Sequence, residues 1–300
     1  MNNAQIRAFH AVASQGSYTK AAELLHVTQP TLSDHVKALE ERYGVKLFQR
    51  QGRGVKLTGL GRALLDITRR QFYLEAEAEQ LLTRAQGLLS GRIFVTADSP
   101  YLVVPLLGDF YRRYPGIEIS VHFGNSERVL QDLKAHRADI GVMPEYIEDS
   151  QMHAQAYKKD QVVVLVPSGH EWARRSSIQF EELNGQRLIM REQGSTTRAI
   201  FEQAMRRYEI RPGTTLEIGS REGMREAVAA GLGIGYISAS EVGHDNRIHP
   251  LVVRDAALNV TEYFVCLKES YPMPTISAFF ELLNNTQDTA ALETDAQNPA

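Results

Sequence analysis

The chain has 300 residues, of which 43% are hydrophobic, and a formal net charge of −3 at pH 7. This length favours about two domains. Because no apolar run approaches a membrane span and the N-terminus lacks a signal-peptide core, we expect a globular, cytoplasmic protein with no membrane partner. The charge is unevenly distributed: residues 1–70 contain 11 Lys/Arg and 5 Asp/Glu, whereas the remainder contains 22 and 31. A basic segment ahead of a more acidic body is typical of a protein that binds nucleic acid through one end.

The N-terminal segment is predicted to form three helices, of which the second and third meet at a tight turn. The first helix covers residues 2–14, with Ile6, Phe9 and Ala13 facing inward. The second helix presents four apolar residues for packing: Ala21, Ala22, Leu24 and Leu25. Their modest size allows two helices to cross closely at Val27-Thr28, as a helix-turn-helix requires.

The third helix has two distinct faces. Apolar residues at helical spacing form a stripe that we expect to be buried: Leu32, Val36, Leu39 and Tyr43. Short polar and charged side chains occupy the opposite face: Thr31, Ser33, Asp34 and Lys37. Thr28 is a suitable N-cap, and Pro30 falls in the first turn, where its missing N–H costs nothing. The pattern predicts a helix that presents polar groups to DNA; the alternative is an ordinary helical hairpin.

Residues 45–57 contain two short strand-like runs separated by a glycine-rich turn, which predicts a β-hairpin wing. Arg50, Arg53 and Lys56 place cations on this hairpin. A flexible arginine at its tip could enter a narrow minor groove or bind phosphates. The alternative is a solvated basic loop, but its position beside a recognition helix favours contact with DNA.

Thr58 is expected to cap a long helix that carries a seam with alternating steps of four and three residues. The seam is apolar at every position except one: Leu60, Leu64, Ile67, Gln71, Leu74, Ala78, Leu81, Ala85 and Leu88. A period of 3.5 residues predicts a coiled coil with a partner helix, although one chain could also fold the seam onto its own body. A two-fold dimer would present two recognition helices to an inverted repeat, with half-sites about one helical turn apart or a multiple of it.

Beyond Ser90-Gly91, short β-rich runs alternate with helical ones, which implies open and mostly parallel sheets. The predicted strands are 92–97, 117–123, 138–142, 161–166, 186–190, 214–218, 234–238 and 261–267, with helices over 101–114 and 126–135. Such a body forms one large domain or two small lobes, and a small-molecule crevice between lobes is the usual product. Cys266 lies in an apolar run, where we expect a buried and inert thiol. The polar tail after Asn284 is expected to be disordered.

These segments resemble the LysR-type transcriptional regulators over nearly the whole chain. The most specific match is the run Ala21–Ser33, continued by Leu39-Glu40 and by Leu47-Phe48-Gln49-Arg50. The resemblance implies an all-α winged helix-turn-helix head with a long coiled-coil linker helix, followed by a two-lobed α/β effector domain resembling periplasmic binding proteins. It further implies a DNA-binding transcriptional regulator that is not an enzyme.

The resemblance also assigns DNA-contacting residues. It places Gln29, Pro30, Thr31 and Ser33 at the groove, Lys37 on phosphate, and Arg50 and Arg53 in the wing. The expected partners are double-stranded DNA with an inverted-repeat operator and further copies of the chain, as a homodimer and then a homotetramer.

The expected domain boundaries follow from the same resemblance. The DNA-binding domain covers 1–58, the linker helix 59–90, the effector domain 91–284 and the tail 285–300. Within the effector domain, lobe I takes 91–161 and 267–284 and lobe II takes 162–266, with crossovers near Gln161 and Cys266.

Three further segments, 97–101, 191–198 and 218–222, resemble the LysR-type subgroup associated with aminoethylphosphonate catabolism. Their hydroxyl residues, with Ser126, stand where a strand ends and a helix begins, and free N–H groups at helix N-termini favour an anion. We therefore expect a small anionic effector (phosphonate, sulfate or carboxylate) at Ser99, Pro100, Tyr101, Ser126, Ser195, Thr196, Thr197 and Ser220. Taken singly, each hydroxyl is better explained as a helix cap. Arg198 could add a cation or could face solvent.

Two other classes of protein are compatible with an α/β body that binds a small anion: an enzyme and a free-standing solute-binding protein. The sequence contains no G-x-S-x-G elbow, no P-loop, no H-E-x-x-H and no Cys or His pair at zinc spacing. We therefore predict no catalytic residue, no cofactor and no metal. A solute-binding protein would carry a secretion signal and would not need a basic helix-turn-helix.

Overall fold

The computed structural model describes residues 1–51, 54–84, 91–144 and 149–296. The chain divides into two compact units, Met1–Leu82 with Ala135–Arg137, and Thr83–Lys134 with Ala138–Ala300. No helix in the described ranges has the length and apolar character needed to cross a membrane. The helices and strands follow the chain as α1 (Asn3–Gln15), α2 (Tyr18–Leu24), α3 (Gln29–Tyr43), β1 (Phe48–Gln51), β2 (Gly54–Leu57), α4 (Gly59–Arg84), β3 (Gly91–Ala97), α5 (Pro100–Arg113), β4 (Ile117–Phe123), α6 (Ser126–Lys134), β5 (Ile140–Pro144), β6 (Met152–Pro167), β7 (Ser177–Ile178), β8 (Arg187–Arg191), α7 (Thr196–Arg207), β9 (Thr214–Ile218), α8 (Arg221–Ala229), β10 (Gly235–Ser238), β11 (Ile248–Val253), β12 (Asn259–Leu267) and α9 (Pro274–Ala296).

The first unit is built on α1, α2 and α3, each of which begins at a side-chain cap. The caps are Asn2, Ser17 and Thr28, whose side chains accept the backbone N–H three residues further on. One core cluster joins the three helices through Ala8, Ala11, Val12, Ala21, Ala22, Leu32 and Val36. A second cluster contains Phe9, Leu39, Leu47 and Leu65. The helix-turn-helix is therefore held by small residues where α2 and α3 meet, as predicted.

Two predicted core residues lie outside the core. Tyr43 is 54% exposed because α3 ends there: Gly44 adopts a left-handed conformation and the chain turns away. Leu47, which is 2% exposed, fills the place at the end of the stripe. Leu24 is 56% exposed at the end of α2, where the two alanines already make the close helix contact. The stripe prediction is thus correct for Leu32, Val36 and Leu39 and wrong for Tyr43.

The predicted wing is the antiparallel pair β1 and β2, with Phe48 opposite Leu57. Thr58 then accepts the N–H of Gly61 at 3.0 Å and caps α4, as predicted.

The inner face of α4 carries Leu65 and Thr68, both almost fully buried, whereas Leu60, Ile67 and Leu74 of the predicted seam are 51%, 63% and 61% exposed. The seam positions 85 and 88 and the side chain of position 81 lie outside the described residues. The exposed row repeats every seven residues, which is the spacing of a coiled-coil stripe.

The second unit contains a long sheet in the order β4-β3-β5-β12-β6-β11-β7, and β10 also pairs with β6. β6 serves two lobes: up to Gln161 it pairs with β12, and from Val162 onward it pairs with β10 and β11. Lobe I is thus the sheet β4-β3-β5-β12-β6 with its helices. Lobe II contains the rest of β6, β10, β11 and β7, together with the parallel pair β8 and β9. The two-lobed α/β prediction is confirmed.

Two details of the chain path differ from the prediction. β6 changes its pairing from β12 to β10 and β11 after Gln161, and the chain returns to lobe I at the start of β12, not near Cys266. Glu262 to Val265 already pair with β5 of lobe I, so Cys266 lies well inside that lobe. Cys266 itself is fully buried, as predicted, and burial raises the pKa of its thiol to about 12. The helix α9 continues past Asn284, where the composition predicts a disordered tail.

Candidate functional site

The outward face of α3 presents the side chains predicted to contact DNA. Gln29, Pro30, Thr31 and Lys37 are exposed and Ser33 is half-buried. The hydroxyls of Thr31 and Thr28 share a hydrogen bond at 2.8 Å, and Lys37 forms an exposed ion pair with Glu41 at 3.6 Å. An exposed ion pair of this kind contributes little to stability. The Thr31 hydroxyl and the Lys37 ammonium group are therefore available to a partner.

Glu40 joins the recognition helix to the wing. Its carboxylate accepts the backbone N–H of Leu47 at 2.8 Å and of Phe48 at 3.2 Å, and the ammonium group of Lys46 lies 2.8 Å away. Burial alone would raise the pKa of Glu40, but these three donors outweigh it and hold that pKa below its usual range. An ionised carboxylate therefore fixes the start of β1 relative to α3.

Of the wing cations, Lys56 lies on the exposed side of β2. The side chain of Arg50 and the whole of Arg53 lie outside the described residues. Their assignment to the DNA contact therefore stays a prediction.

The predicted effector residues lie at four helix N-termini, which we call the N-terminal ring: those of α5, α6, α7 and α8. In lobe I, β3 and β4 are parallel neighbours, so the helices that follow them, α5 and α6, begin side by side. In lobe II, β8 and β9 are parallel neighbours and lead in the same way to α7 and α8. The carboxyl ends of parallel strands are where open α/β sheets bind ligands.

The hydroxyls of the N-terminal ring differ in what they bond. Ser195 and Ser220 are N-caps that accept the N–H of Arg198 at 3.4 Å and of Gly223 at 2.9 Å. Ser99 also occupies an N-cap position, but its hydroxyl makes no capping bond and has no hydrogen-bond partner in the described residues, although it is fully buried. A buried hydroxyl without a protein partner is uncommon, and its O–H is able to donate to a ligand group.

The two lobes touch directly at the N-termini of α6 and α7. The hydroxyl of Thr196 donates to that of Ser126 at 2.8 Å, and the side-chain amide of Asn125 donates to the carbonyl of Gln193 at 3.1 Å. Gly194 has φ +83°, and a Cβ there would lie 2.7 Å from a carboxylate oxygen of Glu127. The positive φ favours glycine here, whereas the Glu127 carboxylate ends a flexible side chain that could move aside.

The N-termini of α5 and α8 meet through charged side chains. Arg221, the first residue of α8, donates to the Asp98 carboxylate at 2.9 Å and to the Asp98 carbonyl. Tyr101 is 43% exposed, and its hydroxyl accepts from Arg225 at 3.0 Å. Pro100, next to Ser99, opens α5 in its first turn. All eight predicted effector residues thus lie at these helix N-termini. Thr197, in the first turn of α7, is 2% exposed.

Sequence reasoning missed the charged groups of this region. Asp98, Arg191 and Arg221 were not predicted, nor was the neutral amide of Asn125, although each directly flanks a predicted hydroxyl or a strand end. Arg198, considered as a cation for the ligand, is instead neutralised: its side chain is 13% exposed and lies 2.7 Å from both Glu202 and Glu217. Arg191 is similarly paired with Glu192 through two contacts of 2.8 Å.

Comparisons with known proteins agree with this architecture. The family described as bacterial regulatory helix-turn-helix protein, lysR family, matches residues 4–62, and the LysR substrate binding domain matches residues 86–288. The HTH-type transcriptional activator CmpR of Synechocystis is 33% identical over 253 residues, which cover 84% of this chain and 83% of that protein.

Two solved structures are similar as well. The full-length CbnR complexed with its target DNA superposes with a TM-score of 0.71 at 20% identity, over 95% of this chain and 99% of CbnR. The Synechocystis CcmR regulatory domain in complex with 2-PG gives a TM-score of 0.61 at 26% identity, over 66% of this chain and 98% of that domain.

The fold and the matches define a protein that joins a helix-turn-helix to a two-lobed α/β effector domain, and such proteins are transcriptional regulators, not enzymes. The chain belongs to the LysR family of DNA-binding regulators.

Proposed function

We propose that this regulator binds an inverted-repeat operator as a homodimer, with dimers pairing into a homotetramer, and that a small anion bound at the N-terminal ring controls its activity. Gln29, Pro30, Thr31 and Ser33 contact base edges or the groove, Lys37 binds phosphate, and Arg50 and Arg53 act from the wing. Support comes from the exposed polar face of α3 and from the basic N-terminal segment. The structure of CbnR with its target DNA supplies a similar fold in contact with an operator.

The seven-residue row on α4 is the proposed dimer contact. Leu60, Ile67 and Leu74 are large apolar side chains, each more than half exposed, on a helix of 26 residues. Burial of this stripe against a second copy would remove its apolar surface from water and so stabilise the dimer relative to the monomer. Dimerisation is therefore the function that we propose for the linker domain, residues 59–90.

One observation carries the proposed anion site: the Ser99 hydroxyl is fully buried and unpartnered at the N-terminus of α5. Three further helices, α6, α7 and α8, begin nearby with hydroxyl residues at their starts: Ser126, Ser195, Thr196 and Ser220. Such groups, with the partial positive charge of the helix ends, favour an anion. Phosphonates, phosphate esters, sulfate and small carboxylates all fit this chemistry, and phosphonate is the narrower candidate that the sequence resemblance favours. For the related CcmR domain, the ligand is named as 2-PG.

Two measurements test this function. Selection of bound fragments from genomic DNA should yield inverted-repeat sequences, to which the full chain binds with an affinity that falls steeply as salt rises, by roughly 1000-fold or more between 50 and 200 mM for several phosphate contacts. A thermal-shift screen with phosphonates, 2-PG, sulfate and carboxylates should then find an anion that raises the melting temperature, because a ligand of the native state stabilises it. Salt-insensitive DNA binding would contradict the DNA contact, and stabilisation only by cationic or neutral compounds would contradict the anion site.

A further inference from the structure

A buried group of charges joins the two lobes next to the N-terminal ring. We call it the junction cluster: Asp98, Arg221, Glu241 and Glu262. Asp98 follows β3 of lobe I, Arg221 and Glu241 belong to lobe II, and Glu262 lies on the crossover strand β12. Each of the four residues is at most 8% exposed. A cluster made from both lobes and their connection is placed to respond to any change in the angle between them.

Arg221 is the centre of the junction cluster. One nitrogen of its guanidinium lies 2.9 Å from the Asp98 carboxylate, and its Nε lies 2.8 Å from Glu241. It also donates to the backbone carbonyl of Asp98. A single side chain of lobe II thus makes two contacts with one residue of lobe I. Separating the lobes would leave Asp98 and Arg221 without these contacts.

The cluster holds three carboxyl groups and one guanidinium. Oδ1 of Asp98, Oε1 of Glu241 and Oε2 of Glu262 have no hydrogen-bond partner in the described residues, whereas Oε2 of Glu241 lies against Arg221. The neighbouring charges do not correct this excess. Arg191 is paired with Glu192, Lys158 opposite Glu262 in the strand register is exposed, and Asp160 of β6, which accepts from Ser240 at 2.6 Å, is a further carboxylate. No group of three or more His, Cys, Asp or Glu among the described residues is arranged to hold a metal ion. A proton on one of the three carboxyl groups would reduce this excess of negative charge.

We propose that Arg221 is the positioning residue that holds the two lobes closed over the N-terminal ring, and that closure takes up a proton at the junction cluster. The proposal concerns the closed state itself and does not depend on which anion the ring binds. By this proposal, groups that do not touch the ligand set its affinity, since they determine the population of the closed state.

The carboxyl group that mainly takes up this proton is that of Glu262. Burial raises the pKa of Glu262 to about 9, and the nearby Asp98 and Glu241 carboxylates add to this effect. Burial likewise raises the pKa of Asp98 to about 6, although Arg221 opposes it. In an open state, water would return these carboxyls toward their ordinary values near 4. Closure near neutral pH therefore binds a proton, and closure becomes less favourable as pH rises from about 4 through about 9.

Hydrogen exchange of the full chain tests the position of Arg221. We compare the wild type with Arg221→Gln and with a matched control, Arg247→Gln, whose side chain is 56% exposed and pairs with Glu226 and Asp245 of its own lobe. In Arg221→Gln, amides of 96–103, 125–129 and 193–199 should exchange about tenfold faster or more, since a charge-assisted hydrogen bond between the lobes is lost. The control should leave these segments unchanged. Faster exchange confined to 219–226 would overturn the proposal, because Arg221 would then act only within α8.

A second variant tests the proton and covers the case in which Arg221→Gln does not fold. Glu262→Gln mimics the protonated carboxyl, and Glu118→Gln, an exposed glutamate of lobe I, is its control. In the wild type and the control, protection of the same segments, corrected for intrinsic exchange, should fall between pH 6 and pH 9. In Glu262→Gln that fall should be smaller by about tenfold or more, because one proton uptake is removed. An equal fall in all three proteins would overturn the proposed proton uptake.

Discussion

The Thr196 hydroxyl donates to the Ser126 hydroxyl at 2.8 Å and so joins the first turns of two helices from different lobes. Each helix terminus has free N–H groups nearby, yet the two hydroxyls bond each other. A ligand that enters the N-terminal ring must compete with or bridge this contact. A small effector at the ring would therefore replace one hydroxyl pair with several N–H donors.

The double variant Ser195→Ala with Thr197→Ala should abolish the response to the anion found by thermal shift, without reducing operator affinity. Both side chains are buried at the start of α7, at 6% and 2% exposure. The loss of the Ser195 cap should also lower stability by about 1 kcal/mol. Dose-response curves of operator binding against anion concentration measure the effect.

The control for this variant is Ser177→Ala, which removes a half-buried hydroxyl from β7, an element outside the ring. It should respond to the anion like the wild type. An unchanged dose response in the double variant would remove Ser195 and Thr197 from the effector site.

Glu40→Ala should destabilise the head by roughly 1–3 kcal/mol, because the buried N–H of Leu47 loses its acceptor. Since Glu40 also fixes the wing, operator affinity should fall with stability. Urea unfolding of the head, followed by NMR signals from α1, measures the first effect. The exposed neighbour Glu41, changed to alanine, is the matched control and should alter stability by less than about 0.5 kcal/mol. Equal effects of the two substitutions would contradict the anchoring role.

The head should lose stability in mild acid because of His10. Burial, with the nearby Arg69, lowers the pKa of His10 to about 4, and its Nδ1 lies 2.9 Å from the Thr68 hydroxyl. That hydroxyl donates to the Leu65 carbonyl, so Nδ1 carries the proton of a neutral ring. The unfolded chain protonates near pH 6.5 and the folded head does not, so stability falls as pH drops from 6.5 toward 4, by about 2 kcal/mol at pH 5.

Urea unfolding of the head at pH 7.5 and pH 5 checks this prediction. His10→Gln should show about 2 kcal/mol less acid destabilisation than the wild type. His26→Asn is the control, since His26 is exposed and has φ 53°, which asparagine tolerates. If His10→Gln retained the full acid sensitivity, the neutral buried state of His10 would be wrong.

Ile67→Glu with Leu74→Glu should convert the dimer to monomers. Both side chains are more than 60% exposed in the single chain, so the substitutions leave its fold intact but place charges in the proposed coiled-coil contact. Sedimentation velocity measures the change. Ala76→Glu, also exposed on α4 but off the seam, should remain dimeric. Retention of the dimer in the double variant would place the self-association elsewhere.

The sequence predicted the local features well because they depend on short-range rules. Thr28, Ser195 and Ser220 were expected at helix starts and do cap α3, α7 and α8. Features that depend on distant segments were not predicted. The first half of β6 is polar and becomes a strand because β12, about a hundred residues later, pairs with it.

The junction cluster was missed for the same reason. Asp98 and Arg221 are 123 residues apart, and nothing in the local pattern of either predicts the contact. Glu262 did give a signal in the sequence: it is a carboxylate at the start of the apolar run 263–267, where a buried charge requires a partner or a proton.

The most direct test of the account is the effect of Thr31→Ala on operator DNA and on a scrambled duplex, measured by fluorescence anisotropy of the full chain at several salt concentrations. If the outward face of α3 contacts base edges, operator binding should weaken by roughly 1–3 kcal/mol, whereas binding to the scrambled duplex and its salt dependence should stay nearly unchanged. The same loss on both duplexes would contradict base contact by Thr31, and no loss on either would contradict the placement of α3 at the DNA.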